Sequence, residues 1–554
     1  MGARAEAPGI DYQQLEFDYR RSPDQAAAQS VHHPLVVVGA GPVGLSLAID
    51  LALRGQPVLL LDNDHRLSSG SRAICFAKRT LEIWDRLGVG QRMVDKGVVW
   101  SVGRVFLDNQ PLYRFDLLPE PGHERPAFIN LQQYYAEGFL VERAMQLPNL
   151  EIRWKHQVTG LQPRADGVQL QIETPDGPYA IEAGYVAACD GSRSPLRGLL
   201  GLESKGRVFH DRFLIADLKI ELELFPEGQA ERWFWFDPPF HRGYSVLLHR
   251  QPDGVWRIDF QLGWDADPEA ERQPERIVPR VKTMLQQGFG REVPFELVWA
   301  SVYTFACQRM ERFRHGRVIF AGDSAHGVSP FGARGANSGV QDAENLAWKL
   351  DAVQRGLAPE ALLDSYASER EFAADENILN STRATDFITP KSDISRLFRN
   401  AVLGLAREHG FARQLVNSGR LSVPATLDGS PLSTPDHPDD EFAAARRPGA
   451  PAVDAPLQRG DATTWLLREL GPGFTLLFFG PGPAWATALP LKVVAIDGQE
   501  LVDAEGQARH RYDADPGTAY LLRPDAHVCA RWRQPTESDV RGALDRALQR
   551  RPSR

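Results

Sequence analysis

The chain has 554 residues, of which 43% are hydrophobic, so it is long enough to fill the cores of about three to four ordinary domains. Lys and Arg number 63 against 72 Asp and Glu, and this formal net charge of -9 leaves no excess of cations to neutralise a phosphate backbone, which excludes nucleic acid as an expected partner. The four cysteines, Cys75, Cys189, Cys307 and Cys529, form no C-x-x-C pair and have no histidine at zinc-finger spacing, which predicts reduced thiols and no metal site.

The first fifty residues bear on localisation. Residues 1–30 carry charges of both signs and no apolar core of a signal peptide, so we predict an N-terminal extension. The apolar run at 34–53 is interrupted by three glycines, a proline and Asp50, which indicates a strand, a turn and a helix rather than a membrane span. The sequence therefore predicts a cytoplasmic protein with no membrane partner.

A dinucleotide-binding motif follows directly. Residues 35–38 are a β-branched apolar run that leads into GAGPVG at 39–44 and then into a helical stretch. The first glycine permits a tight turn, the second allows close approach of a pyrophosphate, and the third lets helix and strand pack closely. A second apolar strand at 57–61 ends at an acidic residue that can accept hydrogen bonds from a ribose. The residues predicted to bind the cofactor here are Gly39, Gly41, Pro42, Gly44 and Asp62.

This motif alone admits either FAD or NAD, and two later segments bear on the choice. The first is the strand-end sequence at 186–197, which contains Asp190-Gly191. The second is an apolar strand at 317–321 that runs into GDSAH at 322–326, then Pro330, a glycine-rich loop at 332–337 and a helix from Ser338 to about Leu350. An isolated Asp-Gly is more often a turn, but its place between the other two segments favours a cofactor role.

With these segments in this order, the chain resembles the flavoprotein aromatic hydroxylases of the p-hydroxybenzoate hydroxylase superfamily. The resemblance implies bound FAD, with NADH or NADPH and dioxygen as co-substrates. It implies that Asp323 holds the ribityl chain, that Asp190 and Arg197 position FAD and guide the nicotinamide, and that Arg72 and Gln133 contact the pyrophosphate and ribose. The remaining cofactor-binding residues implied are Gly322, Pro330, Gly335, Ala336 and Asn337. No second GxGxxG is present, which argues against a disulfide-reductase type of flavoprotein.

The segment from about 208 to 307 has short aromatic and β-branched runs separated by turns, which predicts an antiparallel sheet. In the resembling family such a sheet roofs the flavin and forms an aromatic pocket, so Trp233 and Trp235 are candidates to contact the substrate, and His249, Tyr303 and Pro330 are candidates for catalysis. Strand alternation means that about half of these side chains face away, so for each residue alone a place in the core is the better prediction.

The implied chemistry is attack of a flavin hydroperoxide on an oxygen-substituted ring, which requires exclusion of water. Holding a phenol as phenolate near neutral pH takes about 4 kcal/mol of differential stabilisation, because its pKa resembles the value of about 10 for Tyr. The detail of the sequence is closest to the branch that includes 3-(3-hydroxyphenyl)propionate hydroxylases and phenol 2-monooxygenases. The prediction is therefore a single-component monooxygenase that hydroxylates a phenolic compound such as a phenolic acid. The alternatives are a flavin oxidase or dehydrogenase and a non-catalytic flavin-binding redox sensor.

The predicted fold class is α/β with an α+β substrate domain: a Rossmann-like FAD-binding domain interleaved with an antiparallel-sheet substrate domain, followed by a thioredoxin-like C-terminal domain. The C-terminal unit contains one cysteine, Cys529, and so cannot perform dithiol exchange; we expect it to stabilise the protein or a homodimer. The predicted boundaries are 1–30 for the extension, 31–107, 130–207 and 308–350 for the FAD-binding domain, 108–129 and 208–307 for the substrate domain, 351–422 for a helical region, 423–451 for a linker, and 452–554 for the thioredoxin-like domain.

Overall fold

The computed structural model of the protein describes residues 11–68, 73–416 and 422–550. In the first third of the chain the strands are β1 (Val31–Val38), β2 (Val58–Asp62), β3 (Cys75–Ala77), β4 (Val98–Trp100), β5 (Val102–Leu107), β6 (Gln110–Asp116), β7 (Phe128–Asn130), β8 (Leu150–Trp154), β9 (Gln157–Pro163), β10 (Val168–Glu173) and β11 (Tyr179–Ala188). The strands that follow are β12 (Ser204–Lys219), β13 (Glu231–Phe236), β14 (Ser245–Arg250), β15 (Val255–Gly263), β16 (Glu296–Met310), β17 (Arg314–His315), β18 (Val318–Phe320) and β19 (His326–Gly327). The C-terminal strands are β20 (Pro456–Arg459), β21 (Ala462–Trp465), β22 (Thr475–Phe479), β23 (Lys492–Ile496), β24 (Ala519–Leu522) and β25 (Val528–Trp532).

The helices fall between these strands and in a run before the C-terminal unit. Up to residue 289 they are α1 (Pro42–Leu53), α2 (Lys78–Arg86), α3 (Gly90–Lys96), α4 (Gln133–Met145), α5 (Pro195–Leu199), α6 (Pro268–Glu271) and α7 (Pro274–Phe289). Beyond it they are α8 (Gly335–Gln354), α9 (Leu362–Ile388), α10 (Asp393–Ala406), α11 (Gly410–Leu415), α12 (Gln507–Arg511) and α13 (Glu537–Ala547). No helix in the described ranges is both long and apolar enough to cross a membrane.

A parallel sheet carries the first predicted motif. β1 pairs in parallel with β2 on one side and with β11 on the other, and β8 and β18 continue the parallel pairing on the two sides. β17 pairs with β18, and β10 with β11, in the antiparallel direction. Residues 35–38 and 58–61 are buried, as expected for strands covered by helices on both faces. The order β18-β11-β1-β2-β8 confirms the predicted Rossmann-like arrangement.

A second, largely antiparallel sheet has the order β19-β16-β12-β15-β14-β13-β5-β6. Its strands β13 to β16 match the predicted aromatic runs closely. The structure corrects one boundary, however: residues 102–107, predicted to belong to the FAD-binding domain, form β5, which pairs in parallel with β13. The hairpin of β5 and β6 therefore belongs entirely to the substrate sheet, because its edge completes hydrogen bonds that β13 would otherwise leave open.

The C-terminal unit contains a sheet of order β23-β22-β24-β25, in which β22 and β23 are parallel and the other neighbours antiparallel. Its thioredoxin-like character stays a prediction, as does the homodimer. The predicted linker at 423–451 is a packed part of this unit: Leu427 and Leu432 are buried, and the Thr434 N–H donates to the Cys529 carbonyl at 2.7 Å. The Pro and Asp residues of this segment disfavour helices and strands, but its apolar side chains are still buried in the C-terminal unit.

The described part of the N-terminal extension also packs on the FAD-binding domain. The ring of Tyr12 lies edge-on to Phe139 of α4, with centroids 5.6 Å apart, and Phe17 stacks on Trp154 at 4.2 Å. Aromatic pairs at these separations add to the burial of the rings. Residues from Asp11 onward are therefore tied to the domain that follows them.

Candidate active site

The GAGPVG segment forms the turn from β1 into α1, and its three glycines have different surroundings. Gly39 has a φ of +106°, and a Cβ there would lie 2.4 Å from the carbonyl oxygen of Cys189. A Cβ on Gly44 would lie 1.9 Å from the carbonyl oxygen of Gly39. A Cβ on Gly41 would meet no atom within 4 Å. The first and third glycines are thus required by packing, whereas the second faces open space.

That open space lies at the N-terminus of α1, because Gly41 is its N-cap residue and Pro42 its first residue. The first N–H groups of a helix have no acceptor within the helix and carry a partial positive charge. Open space in front of such groups fits the pyrophosphate of a dinucleotide. The residues present therefore fit FAD, with Gly41 and the first turn of α1 at its phosphates.

Asp62 ends β2 and stabilises the same turn. One carboxylate oxygen accepts the N–H of Ala40 at 2.5 Å, and the other accepts the N–H of Asp64 at 2.7 Å. Burial raises the pKa of Asp62, and these two hydrogen bonds oppose that rise. Its predicted contact with a ribose stays a prediction.

Glu137, to which the sequence analysis gave no role, is a buried carboxylate one helical turn beyond Gln133. It accepts hydrogen bonds from the N–H of Ser68 at 2.8 Å, from the Ser68 hydroxyl at 2.7 Å and from the side-chain amide of Gln133 at 2.8 Å. The Gln133 carbonyl oxygen accepts the N–H of Ala73 at 3.2 Å. The start of α4 thus fixes the chain on both sides of residues 69–72. Arg72 lies outside the described residues.

The late Gly-Asp motif meets the start of α8. Gly322–Ser324 forms a single 3-10 turn after β18, and Gly322 has a φ of +66°. The side chain of Asp323 is exposed, and a Cβ built on Gly335 would lie 3.9 Å from its Oδ1 atom. Pro330, also exposed, opens the next 3-10 turn. The motif therefore presents a carboxylate beside the positive end of a 20-residue helix.

A buried ionic network holds the backbone of the Gly-Asp motif in place. Asp342 on α8 accepts the N–H of Gly322 at 3.0 Å, a ring nitrogen of His326 lies 2.6 Å from it, and the Nε of Arg370 donates to it at 2.6 Å. Burial raises the pKa of Asp342, but the neighbouring His326 and Arg370 outweigh it and hold that pKa below its ordinary value. His326 therefore has a structural role, since the network fixes the backbone that carries Asp323.

Asn337 uses its side chain to join the first turn of α8 to the segment around β3. Its Oδ1 accepts the N–H of Ala77 at 2.8 Å and the hydroxyl of Thr80 at 2.6 Å, and its Nδ2 donates to the carbonyls of Cys75 at 2.9 Å and Ala333 at 2.6 Å. All four hydrogen-bonding positions of the amide are thereby used. Asn337 therefore fixes the backbone of the loop, and only its main chain and that of Gly335 and Ala336 are available to a cofactor.

Asp190 follows β11 and organises the next turn. Its carboxylate accepts the hydroxyl of Ser194 at 2.6 Å and the N–H of Leu196 at 2.9 Å. Burial raises the pKa of Asp190, and both hydrogen bonds oppose that rise. Arg197 donates to the carbonyl of Ser324 at 2.8 Å, which ties this turn to the Gly-Asp motif. The structure thus brings the early, middle and late motifs to one region at the carboxyl ends of β1, β11 and β18.

The antiparallel sheet has two different faces. Trp233 and Trp235, predicted to contact the substrate, point away from the flavin motifs: Trp233 stacks on Phe289 of α7 with centroids 5.6 Å apart, and Trp235 packs against Phe240 at 5.9 Å. Their assignment as substrate residues is therefore wrong, because alternation along β13 places both on the face covered by α7.

The opposite face meets the flavin motifs through Phe331, which follows Pro330. The ring of Phe331 packs against Phe213 at 4.7 Å and Phe305 at 5.5 Å. Tyr303 is on this face, with its ring 6.1 Å from Phe213. Burial raises the pKa of Tyr303 well above its ordinary value. We call this side the flavin-facing face.

Polar side chains also cross the flavin-facing face. Arg232, His249, Arg257 and Asp217 are paired in that order across β13, β14, β15 and β12. Arg257 donates two hydrogen bonds of 2.8 Å to Asp217, and a ring nitrogen of His249 lies 3.1 Å from Asp259. The family resemblance made His249 a candidate, but the sequence gave no signal for this row, because the row depends on the register in which the strands pair.

The lowered pKa of buried His249 is expected to make the stability of the protein depend on pH. Burial, together with the charge of Arg232, lowers the pKa of His249 to about 4, so the folded protein disfavours its protonated form. As the pH falls from 7 to 5 the unfolded chain binds this proton and the folded chain does not, so about 2 kcal/mol of stability is lost. Denaturant unfolding of the wild type and of His249→Gln at both pH values measures this difference. Equal pH dependence in the two proteins would contradict the expectation.

No group of His, Cys, Asp and Glu in the described part of the chain is arranged to hold a metal ion. The four cysteines are buried and unbridged. Burial raises the pKa of each of these thiols.

Several known proteins are similar to this chain in sequence or in fold. A family model described as "FAD binding domain" matches residues 32–381. The 12-dehydrotetracycline 5-monooxygenase/anhydrotetracycline 6-monooxygenase of Streptomyces rimosus is 31% identical over 527 residues, covering 93% of this chain and 98% of that protein. A 3-(3-hydroxy-phenyl)propionate/3-hydroxycinnamic acid hydroxylase of Mycobacterium sp. is 27% identical over 535 residues, covering 91% of this chain and 90% of that protein. The crystal structure of the flavin-dependent monooxygenase PieE with FAD and substrate has the same fold, with a TM-score of 0.79 at 22% identity over 95% of this chain and 100% of that one.

Proposed function

The chain belongs to the FAD-binding-domain family and is a flavin-dependent aromatic monooxygenase, and from this premise we propose that it uses NADH or NADPH and dioxygen to hydroxylate a phenolic ring. The observation that carries the proposal is the position of the flavin-facing face, whose aromatic rings pack against Phe331 in the loop before α8. Reduced FAD, when bound, supplies the activation of dioxygen.

The chain's own residues would perform three tasks. The first turn of α1 and Gly41 would bind the pyrophosphate, and Asp323 would accept hydrogen bonds from sugar hydroxyls. The N-terminus of α8 would stabilise negative charge on the pyrimidine edge of the ring. The cluster of Phe213, Phe305 and Phe331 would exclude water from the reacting face, which protects an oxygenating site from unproductive release of peroxide.

Two substrate classes are proposed for this site. Single-ring phenolic acids follow from the branch that the sequence resembles and from the name of the 27% identical relative. Fused-ring phenols are the second candidate, because a relative that is 31% identical over almost its whole length is named for 12-dehydrotetracycline and anhydrotetracycline. Both classes present an electron-rich ring with an ionisable hydroxyl.

We expect a phenolic substrate to stimulate NAD(P)H oxidation and to yield one hydroxylated product per nicotinamide consumed. The experiment uses the FAD-loaded protein with a panel of single-ring phenolic acids and fused-ring phenols, measuring nicotinamide absorbance, peroxide and product mass. Methyl ethers of the same compounds are matched controls, since they lack the ionisable hydroxyl.

Each alternative gives a different result. Nicotinamide consumption that yields peroxide and no hydroxylated product, with every compound, would indicate an oxidase and contradict the proposal. Flavin absorbance without nicotinamide turnover would indicate a redox sensor.

The Asp323→Ala variant is expected to lose FAD and activity together, because the carboxylate provides a charge-assisted acceptor.

A further inference from the structure

Arg232 differs from the other charged groups of the flavin-facing face because its charge has no partner. The side chain is 3% exposed, and its Nε and Nη1 atoms are buried without a hydrogen-bond acceptor. Across the described residues, no carboxylate lies within ion-pair distance of this guanidinium. A buried cation without a partner is costly, so such an arrangement is seldom retained for stability alone.

Two other buried arginines of this protein are paired with carboxylates. Arg257, in the same row of the sheet, donates two hydrogen bonds of 2.8 Å to Asp217, and Arg370 donates to Asp342 at 2.6 Å. Arg399, which is 1% exposed, forms no ion pair with a described residue, but its guanidinium donates twice to the side-chain oxygen of Asn400 at 3.1 Å. Arg232 makes neither kind of contact, which indicates that its partner comes from outside the chain.

The immediate neighbours of Arg232 form no ion pair with it. His249, its partner across the strand pair, has a low pKa and is neutral at pH 7, and the nearby Asp259 faces a ring nitrogen of His249 at 3.1 Å. The rings of Trp100 and Phe234 have their centroids 5.9 Å and 5.0 Å from the guanidinium carbon. Aromatic faces attract a cation weakly and provide flat walls, but they carry no negative charge.

Arg232 also lies where the two domains meet. The Trp100 ring, 5.9 Å from its guanidinium carbon, belongs to one buried cluster with Cys75, and the carbonyl of Cys75 accepts a hydrogen bond of 2.9 Å from Asn337 in the first turn of α8. The Phe234 ring, two residues along β13, marks the same flavin-facing side. A ligand that pairs with Arg232 would therefore lie between the sheet and the elements proposed to hold FAD.

We propose that Arg232 binds an anionic oxygen of the aromatic substrate, a phenolate or a ring-linked carboxylate, and so selects ionised phenolic compounds over neutral ones. This inference rests on the proposed function, since it concerns the same site. A guanidinium offers two parallel donors to such an oxygen group, and a charge-assisted hydrogen bond at a dry site is among the strongest that a protein makes. The flat walls of Trp100 and Phe234 suit an aromatic ring that carries the anion.

The test measures binding rather than turnover, on FAD-loaded protein. 4-Nitrophenol is the phenol probe, because its anion is yellow and its neutral form is not, and 4-nitroanisole is its neutral control. 3-Phenylpropionate is the carboxylate probe, and 3-phenylpropanol is its neutral control. The variants are Arg232→Met, which removes the charge at similar length, and Arg232→Lys, which keeps the charge but lacks the two parallel donors of a guanidinium.

We expect the wild type to bind 4-nitrophenol as its anion at a pH where the free probe is largely neutral, and to bind the neutral controls more weakly. Arg232→Met is expected to weaken binding of at least one anionic probe by about 10- to 100-fold, with Arg232→Lys intermediate. Trp233→Phe, one residue along the strand but on the α7 side, is the matched control and is expected to leave probe binding unchanged. Dependence of 4-nitrophenol alone on Arg232 would identify a phenolate, and dependence of 3-phenylpropionate alone would identify a carboxylate.

Equal binding of both anionic probes by the wild type and Arg232→Met would overturn the inference. So would loss of FAD from Arg232→Met with unchanged probe binding, because Arg232 would then pair with the cofactor. If Arg232→Met does not fold, the wild type and Arg232→Lys decide: binding of both probes no stronger than that of their neutral controls would reject an anion site. Anion binding that depends on Arg232 in a protein that hydroxylates no phenol would leave this inference standing and reject the proposed function.

Discussion

Replacing Gly41 with Val is expected to abolish FAD binding while leaving the fold of the protein intact. The reason is the open space beyond this residue, where a Cβ would meet no protein atom within 4 Å. The φ of -74° and ψ of -179° at Gly41 are available to Val, so no backbone strain results. In the proposed complex, that same space holds the pyrophosphate, and the branched side chain would displace it from the N–H groups of α1.

We expect the affinity for FAD to fall by at least about 100-fold, which corresponds to roughly 3 kcal/mol. The stability of the FAD-free protein should change by at most about 1 kcal/mol, the cost of exchanging Gly for an apolar residue at a helix N-cap. Flavin fluorescence on titration gives the affinity, and thermal unfolding without added FAD gives the stability, since bound cofactor would otherwise contribute to it.

Gly44→Ala provides the matched control for this experiment. Its Cβ would lie 1.9 Å from the carbonyl oxygen of Gly39, so this smaller substitution should lower the stability of the FAD-free protein itself. The two variants therefore separate a cofactor contact from a packing contact within one motif. Retention of normal FAD affinity by Gly41→Val would contradict the placement of the pyrophosphate.

The difference between these glycines illustrates what the sequence can predict. The run at 35–38, the GAGPVG turn and the helix after it are specified by neighbouring residues, and the observed β1 and α1 agree with them. β2 was predicted at 57–61 and is found at Val58–Asp62. α8 begins at Gly335, three residues before its predicted start, because a glycine-rich stretch gives no helical periodicity.

Features that depend on distant parts of the chain could not be predicted in this way. Alternation along β13 separates Trp233 from Phe234, but it does not tell which of the two faces the flavin motifs; that depends on where α7 packs. Likewise, Asp342 and Arg370 lie on different helices, and their meeting with His326 follows from helix packing alone. Whether Arg232 has a partner also depends on which residues of other elements lie beside it, so the sequence could not predict that either.

The contact between the C-terminal unit and the FAD-binding domain is another such feature, and it is the basis of the second large effect we expect. Arg523, just after β24, donates to both oxygens of Glu369 on α9 at 2.6 Å and 3.1 Å, and to both oxygens of Asp525 at 3.0 Å and 2.6 Å. Lys349 of α8 also donates to Glu369, at 2.7 Å. Asp525 in turn accepts the indole N–H of Trp348 on α8 at 3.0 Å.

This cluster is almost free of solvent, since the side chains of Arg523, Glu369, Lys349 and Asp525 are each at most 1% exposed. Burial lowers the pKa of Lys349 to about 8, and although burial alone would raise the pKa of Glu369, the cations beside it hold that pKa well below its ordinary value. Two cations and two carboxylates balance one another. Removing one cation leaves a net negative charge inside the interface.

Arg523→Met is therefore expected to lower the free energy of unfolding by about 3–5 kcal/mol, the cost of breaking a buried ion pair by removing one partner. Arg447→Met is the matched control: Arg447 makes the same two-point contact with Asp428 in the C-terminal region, but both side chains are about half exposed, so its loss should cost no more than about 1 kcal/mol. Denaturant unfolding of the three proteins, monitored by tryptophan fluorescence, measures both changes. A small effect at Arg523, similar to that at Arg447, would mean that the C-terminal unit does not depend on this cluster for its attachment to α8 and α9.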